Sequence, residues 1–156
     1  MSATQADIRG VLIAVTEGRL LLPNASVAEV ITYAEPEAVP GAPDWLLGRI
    51  PWQGWRLPVL SFARLAGLAG QEREFGAKVV VIKALGGHPK LPYFALLTQG
   101  FPRLVTVPES GLLLSDDGKS PPLGVRMRAL YKDEPVLIPD LDSIELLIRD
   151  ALGQAA

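Results

Sequence analysis

Residues 48–62 read GRIPWQGWRLPVLSF, and this stretch decides the fold. Two apolar arms flank Gln53-Gly54, and a two-residue connection that ends in Gly is typical of a tight β-hairpin. Gly54 supplies the positive φ that such a turn requires. Trp52 and Trp55 then lie opposite each other as a cross-strand pair. This pair either covers a core or anchors a partner protein, since Trp is also enriched at binding hot spots.

Each arm of the hairpin carries a proline, Pro51 in the first and Pro58 in the second. Because proline has no backbone N–H, it cannot donate to the hydrogen-bond ladder of a sheet. We therefore expect both prolines to mark edge or strand-end positions. Such an edge discourages unspecific strand pairing, so that recognition would depend on side chains.

The composition is that of a folded globular chain, since 49% of the 156 residues are apolar and 21% are charged. The net charge of −2 gives no general attraction for nucleic acid or anionic lipid. With no Cys and one His, thiolate chemistry and Cys/His zinc sites within one chain are excluded. The sequence shows neither a secretory signal nor an apolar run of the roughly 20 residues that a membrane helix needs. This predicts a cytoplasmic protein without direct membrane insertion.

Outward from the hairpin, the chain reads as short strands joined by turns, as its 14 prolines and 15 glycines suggest. Buried strands are predicted at 8–15 and 77–85, and a last hairpin turns at 132–134. Asn24 or Ser26 is expected to cap a helical turn that runs into a strand. About nine or ten strands without βαβ alternation predict small antiparallel barrels or a sandwich, not a parallel nucleotide-binding sheet.

The C-terminal segment 141–153 is the one persuasive helix in the sequence. Its apolar residues recur at spacings of three and four, forming one stripe that we expect to dock on the barrels. Asp142 and Glu145 fit a capping box, and Gly153 fits a C-terminal cap.

Catalytic motifs are weak in this sequence. A Ser-His-Asp site would need His88, which lies in the turn GGHPK and is expected at an exposed tip. DDGKS at 116–120 ends like a phosphate-binding loop, but Leu113 replaces the required Gly and two prolines follow. Asp140 and Asp142 suit the start of a helix better than acid–base chemistry. We therefore predict no catalytic, cofactor-binding or metal-binding residues, and the chain is not expected to be an enzyme.

Three segments resemble the CheW-like family of chemotaxis coupling proteins. They are LLLPNASVAEVI at 20–31, VPGAPDWLLGRIPWQGWRLPVLSF at 39–62 and EPVLIPDLDSIELLI at 134–148. The ordered series is more specific than any single motif, and the resemblance covers nearly the whole chain. It implies an all-β fold with short helices: two five-stranded SH3-like β-barrels that share a core, with a C-terminal helix.

The resemblance also suggests how the domain is organised. Residues 1–156 would form a single CheW-like domain made of two interleaved barrel subdomains, at approximately 15–66 and 67–140. The polar linker at 67–76 separates the two groups of strands. The N-terminal strand and the helix at 141–153 would pack across both.

The resemblance implies a non-enzymatic adaptor that couples chemoreceptors to a CheA-type histidine kinase. The implied partners are the regulatory domain of that kinase and the cytoplasmic tip of a methyl-accepting chemotaxis receptor. The sequence is most similar to the pilus-type branch, the ChpC or PilI-like couplers, which implies control of twitching motility. Two alternatives stay open: an auxiliary scaffold that binds other coupler-like domains, and a small all-β ligand-binding or hydrolytic protein that uses His88.

Four residues are candidates for partner contact: Glu29, Trp52, Gln53 and Arg56. Glu29 lies in the Val-x-Glu-Val segment that matches the family. At the hairpin the family usually has Asn-Leu-Arg-Gly, whereas this chain has Pro-Trp-Gln-Gly, and Gln53 cannot make the charged, bidentate contacts of an Arg. Arg56 could partly replace the missing charge.

A second departure lies in FALLTQGFPRL at 94–104, where the family usually has a Gly-x-x-Val-Asp strand. Together the two departures suggest a divergent partner or an auxiliary role.

Overall fold

The computed structural model describes residues 8–70, 76–108, 111–114 and 121–155. Most of these residues lie in eleven short strands. In chain order the strands are β1 (Ile8–Val15), β2 (Gly18–Pro23), β3 (Val27–Thr32), β4 (Leu46–Trp52), β5 (Trp55–Leu60), β6 (Ala77–Lys83), β7 (Tyr93–Gln99), β8 (Arg103–Val107), β9 (Leu112–Leu114), β10 (Val125–Tyr131) and β11 (Glu134–Pro139). The helices are α1 (Phe62–Leu65) and α2 (Leu141–Ala155), and a 3-10 turn covers Asn24–Ser26.

The strands form two sheets. A six-stranded sheet has the order β8-β1-β2-β11-β10-β9, and a five-stranded sheet has the order β3-β6-β7-β5-β4. Neighbouring strands are antiparallel except for two parallel pairs, β2 with β11 and β5 with β7. This architecture confirms the predicted fold class and is consistent with SH3-like barrels, although one sheet has six strands and not five.

The two sheets are interleaved along the chain. β1 and β2 lie in one sheet with the late strands β8, β9, β10 and β11. β6 and β7 lie in the other sheet with β3, β4 and β5. The approximate ranges 15–66 and 67–140 would require the strands to divide into two sheets at the linker. The strands do not divide there, because each sheet contains strands from both sides of the linker. The physical reason lies in β6, whose residues Val79–Ile82 are fully buried and which pairs with β3 on one side and β7 on the other. The grouping into two subdomains stays a prediction.

One apolar core joins both sheets to α2, as predicted. The six-stranded sheet, the five-stranded sheet and the helix each contribute side chains with no exposed surface. These include Ile13, Leu20, Leu60, Phe94, Ile144 and Ile148. The apolar stripe of α2 thus packs within its own chain, because a short amphipathic helix gains most of its stability from such burial.

The ends of α2 differ from the sequence prediction. Asp140 caps the helix in place of Asp142, since its Oδ1 accepts a hydrogen bond from the backbone N–H of Ser143 at 3.1 Å. Glu145 takes no part in a capping box; it is buried and accepts a hydrogen bond from the backbone N–H of Gly86 at 3.0 Å. The helix continues through Gly153 to Ala155, so the glycine does not end it.

The 3-10 turn before β3 also lacks the predicted cap. Pro23 occupies the N-cap position, and no side chain accepts a hydrogen bond there. Asn24 and Ser26 lie inside the turn, where their side chains are not placed to cap its start. The helical turn followed by a strand is confirmed, while the capping residue is not.

Candidate functional site

The hairpin of β4 and β5 turns at Gln53 and Gly54, as predicted. Both residues have positive φ, 48° and 82°, which is the pattern of a type I′ turn. The register places Trp52 opposite Trp55. Gly54 adopts this conformation without strain, whereas Gln53 has a Cβ that makes the left-handed region unfavourable.

The two prolines of the hairpin have different positions. Pro51 lies on the edge strand β4, as predicted, but the prediction for Pro58 is wrong because it is buried in β5, between β4 and β7. The backbone N–H and C=O of Arg49 both bond to Glu37, at 2.9 and 2.8 Å, so the facing Pro58 needs no N–H on that side. On the other side, pairing with β7 starts only at Val59.

Three of the four candidate residues meet at this hairpin. The indole N–H of Trp52 donates to Glu29 Oε1 at 3.2 Å, and the side-chain amide of Gln53 lies 3.5 Å from the same oxygen. We call Glu29, Trp52 and Gln53 the hairpin cluster. Glu29 belongs to β3 and Trp52 to β4, which are opposite edges of the five-stranded sheet. The sheet therefore curls until its edges approach, as in a small barrel.

The two tryptophans have different surroundings. Trp52 is half-buried, and its ring meets that of Tyr93 edge to face with the centroids 4.9 Å apart. It packs against an apolar cluster of the five-stranded sheet that includes Ile50 and Leu57. Trp55, by contrast, is 41% exposed. Trp52 is thus both a core residue and a hydrogen-bond donor to Glu29, while most of the exposed indole surface belongs to Trp55.

The family of this fold follows from comparison with known proteins. A family model described as CheW-like domain matches residues 9–146. The chain belongs to the CheW-like family. Among solved structures it is similar to the scaffolding protein TtCheW from Thermoanaerobacter tengcongensis, with a TM-score of 0.73 and 17% sequence identity, over 87% of this chain and 90% of that one. At this identity the likeness concerns the fold. No curated protein sequence matches the chain.

Arg56 lies outside the hairpin cluster of this CheW-like domain. Its Nη2 is 2.7 Å from Glu37 Oε2, and both side chains are mostly exposed. An exposed ion pair of this kind adds little stability because water already solvates both charges. Arg56 therefore faces Glu37 and does not reach the carboxylate of Glu29.

Sequence reasoning missed two residues of this region, Glu37 and Tyr93. Glu37 lies in the proline-rich loop before β4, where its backbone pairs with Arg49 and covers part of the β4 edge. Tyr93 supports the ring of Trp52. Neither residue has a local motif, because both act through contacts with a distant strand.

His88 is half-buried and not at the exposed tip that its turn predicts. Its Nδ1 accepts a hydrogen bond from the backbone N–H of Lys90 at 3.2 Å, so this nitrogen is engaged within the turn. In the part of the chain that the structure describes, no three His, Cys, Asp or Glu side chains come together to hold a metal ion. No helix among those residues is long and apolar enough to cross a membrane.

Proposed function

We propose that this CheW-like domain is a non-enzymatic, cytoplasmic adaptor of a bacterial chemosensory system. It would hold the regulatory domain of a CheA-type histidine kinase close to the cytoplasmic tip of a methyl-accepting chemotaxis receptor. Two findings support the proposal: the family match, and a fold similar to that of a protein described as a scaffold. The observation that carries it at residue level is the hairpin cluster, which gathers three candidate contact residues on one surface.

The hairpin cluster presents one oriented carboxylate to a partner. Both contacts of Glu29 use Oε1, and a carboxylate has about four acceptor positions shared by its two oxygens. Oε2 can therefore accept hydrogen bonds from an Arg or Lys of the partner. The half-buried Trp52 limits the movement of the carboxylate, so a partner would meet a fixed negative charge.

Gln53 does not neutralise the negative charge of Glu29. Its amide lies at the outer limit of hydrogen bonding from Glu29 and carries no charge. An Arg at this position, as is usual in the family, would place a guanidinium beside the same carboxylate. The cluster therefore offers a more negative surface than the family pattern implies, which favours a partner with a complementary cation.

The proposal predicts that removing the charge of Glu29 weakens kinase binding. We expect Glu29→Gln to lower the affinity of the full chain for a CheA-type regulatory domain about tenfold, because the partner loses a charge-assisted hydrogen bond. Isothermal titration calorimetry measures this. The matched control is Glu17→Gln, which removes an exposed charge in the turn between β1 and β2.

Two results would contradict the proposal. One is that the unchanged chain binds neither the kinase regulatory domain nor the receptor tip. The other is that Glu17→Gln weakens binding as much as Glu29→Gln, since a general charge effect would then explain both.

The same proposal extends to the branch of the CheW-like family and to the kind of motility that the chain controls. We assign the chain to the pilus-type couplers on the resemblance of its three segments, so deletion of its gene should reduce twitching zones and leave flagellar swimming unchanged. An auxiliary scaffold is the second candidate, and the neutral Gln53 favours it. Co-purification with another coupler-like domain in place of the kinase would select the scaffold.

A further inference from the structure

A cleft of about 750 Å³ lies between the β4–β5 hairpin, the turn that joins β6 to β7, and the second half of α2. Its size is within the usual range of ligand-binding clefts. Trp55, Pro58, Leu91 and Leu146 form much of its apolar wall. Trp55 is 41% and Leu146 is 60% exposed, so large apolar groups border a concave surface. Such surfaces mark sites of interaction more often than isolated exposed residues do.

Positive charge is concentrated in the cleft. Four cations line it, Arg49, Arg56, Lys90 and Arg149, against the single carboxylate of Asp150. This is the reverse of the whole chain, whose net charge is −2. Among the described residues, Arg56 is the only one of these four with an ion pair, to Glu37. The other three cations are available to an incoming anion.

Two walls of the cleft, the turn that joins β6 to β7 and α2, are fixed to each other. The backbone N–H of Gly86, in the turn after β6, donates to the buried Oε1 of Glu145 on α2 at 3.0 Å. A Cβ at position 86 would overlap Glu145 Oε2, so a larger residue there would displace this carboxylate. The bond from Lys90 N–H to His88 Nδ1 holds the same turn. This part of the cleft is thus formed before a partner arrives, which lowers the entropy lost on binding.

We infer that this cleft docks a short acidic segment of a partner protein, with one apolar side chain seated against Trp55 and Leu146. The carboxylates of the segment face Arg49, Lys90 and Arg149. Charge complementarity identifies this occupant: a short segment meets only the local cations, whereas nucleic acid or an anionic membrane would also meet the negative charge of the whole chain. Arg56 is the one candidate contact residue that lines the cleft, and no residue of the hairpin cluster does, so the inference does not rest on the kinase and receptor assignment.

Fluorescence anisotropy with the full chain tests the inference. The probe is a fluorescein-labelled peptide in which a Leu-Phe pair is flanked on both sides by Glu. One comparison peptide has Gln for every Glu, and another has Ala for Leu and Phe. We expect the first peptide to bind and each comparison peptide to bind at least about tenfold more weakly, because each lacks one of the two complementary features.

Variants of the chain locate the binding. Arg149→Glu should weaken binding of the acidic probe about tenfold or more, since the exposed side chain at this position of α2 then repels it. The matched control is Arg103→Glu, an equal charge change on the exposed face of β8, which should leave binding unchanged. Leu146→Ala should weaken binding without altering the circular dichroism spectrum, because this side chain is 60% exposed.

Four outcomes would overturn the inference. They are no binding of the acidic probe, equal binding of its Gln counterpart, equal loss for Arg103→Glu and Arg149→Glu, and Arg149-dependent binding to vesicles of anionic lipid that excludes the peptide. Sedimentation of the chain alone adds a fifth. A dimer that Arg149→Glu dissociates would assign the cleft to a second copy.

Discussion

At the scale of single residues, Gln53 combines an unusual backbone with a place in the hairpin cluster. Its φ of 48° is one that residues with a Cβ rarely adopt, and it precedes Gly54 in a type I′ turn. Asn is favoured at this turn position because its short side chain tolerates the left-handed region. We therefore expect Gln53→Asn to raise the free energy of unfolding by about 0.5–1 kcal/mol, measured by urea denaturation.

The control is a substitution in the same turn that should add backbone strain. Gly54→Ala should lower the free energy of unfolding by about 1 kcal/mol, although a Cβ at this position would meet open space. The loss would then come from the backbone alone. A stabilising effect of Gly54→Ala would contradict the turn type.

The residues of this turn could be predicted from the sequence, because Trp-Gln-Gly-Trp specifies a local geometry. The meeting of the hairpin with Glu29 could not be derived from spacing, since it depends on the curvature of a whole sheet. Glu29 became a candidate only through the family resemblance. Glu37 and Tyr93 have no comparable signal, and so they were missed.

At the scale of elements, α2 shows the limits of capping rules. Its apolar stripe was predictable, but Glu145 satisfies a backbone group of Gly86 in another element, which no local pattern reveals. Gly153 lies inside the helix, where an added Cβ would meet open space. We expect Gly153→Ala to raise the free energy of unfolding by up to about 1 kcal/mol, because Ala loses less backbone entropy than Gly when a helix forms. Thermal unfolding monitored by circular dichroism measures this change.

This experiment separates the two descriptions of the helix end. If Gly153 were instead a left-handed C-terminal cap, Ala would be strained there and the melting temperature would fall.

At the scale of the whole molecule, one core should make both sheets unfold together. Ile148 is fully buried in the cluster that joins the sheets to α2, so Ile148→Ala should cost about 2–4 kcal/mol of unfolding free energy. Leu146→Ala on the exposed face of the same helix should change it by less than about 0.5 kcal/mol. Urea titrations followed by tryptophan fluorescence and by circular dichroism should coincide for both variants.

Separate transitions for the two probes would indicate that the sheets unfold as independent units. The strands themselves could be read from the sequence, but which strands share a sheet could not. The pairing of β2 with β11 joins residues from opposite ends of the described chain, and hydrophobic periodicity contains no such long-range information.

The interleaved strand order also determines when each sheet can assemble during synthesis. The strands of the five-stranded sheet, β3 to β7, leave the ribosome in one continuous series and can pair as they emerge. Among the eleven described strands β1 and β2 emerge first, yet the strands that complete their sheet, including β11, are the last of the eleven to be translated. The apolar residues of β1 and β2 therefore remain exposed while most of the domain is translated. Pairing between strands that are distant in the sequence also slows folding. The β1–β2 hairpin is consequently the part of this domain that is most exposed to misfolding or aggregation while synthesis continues.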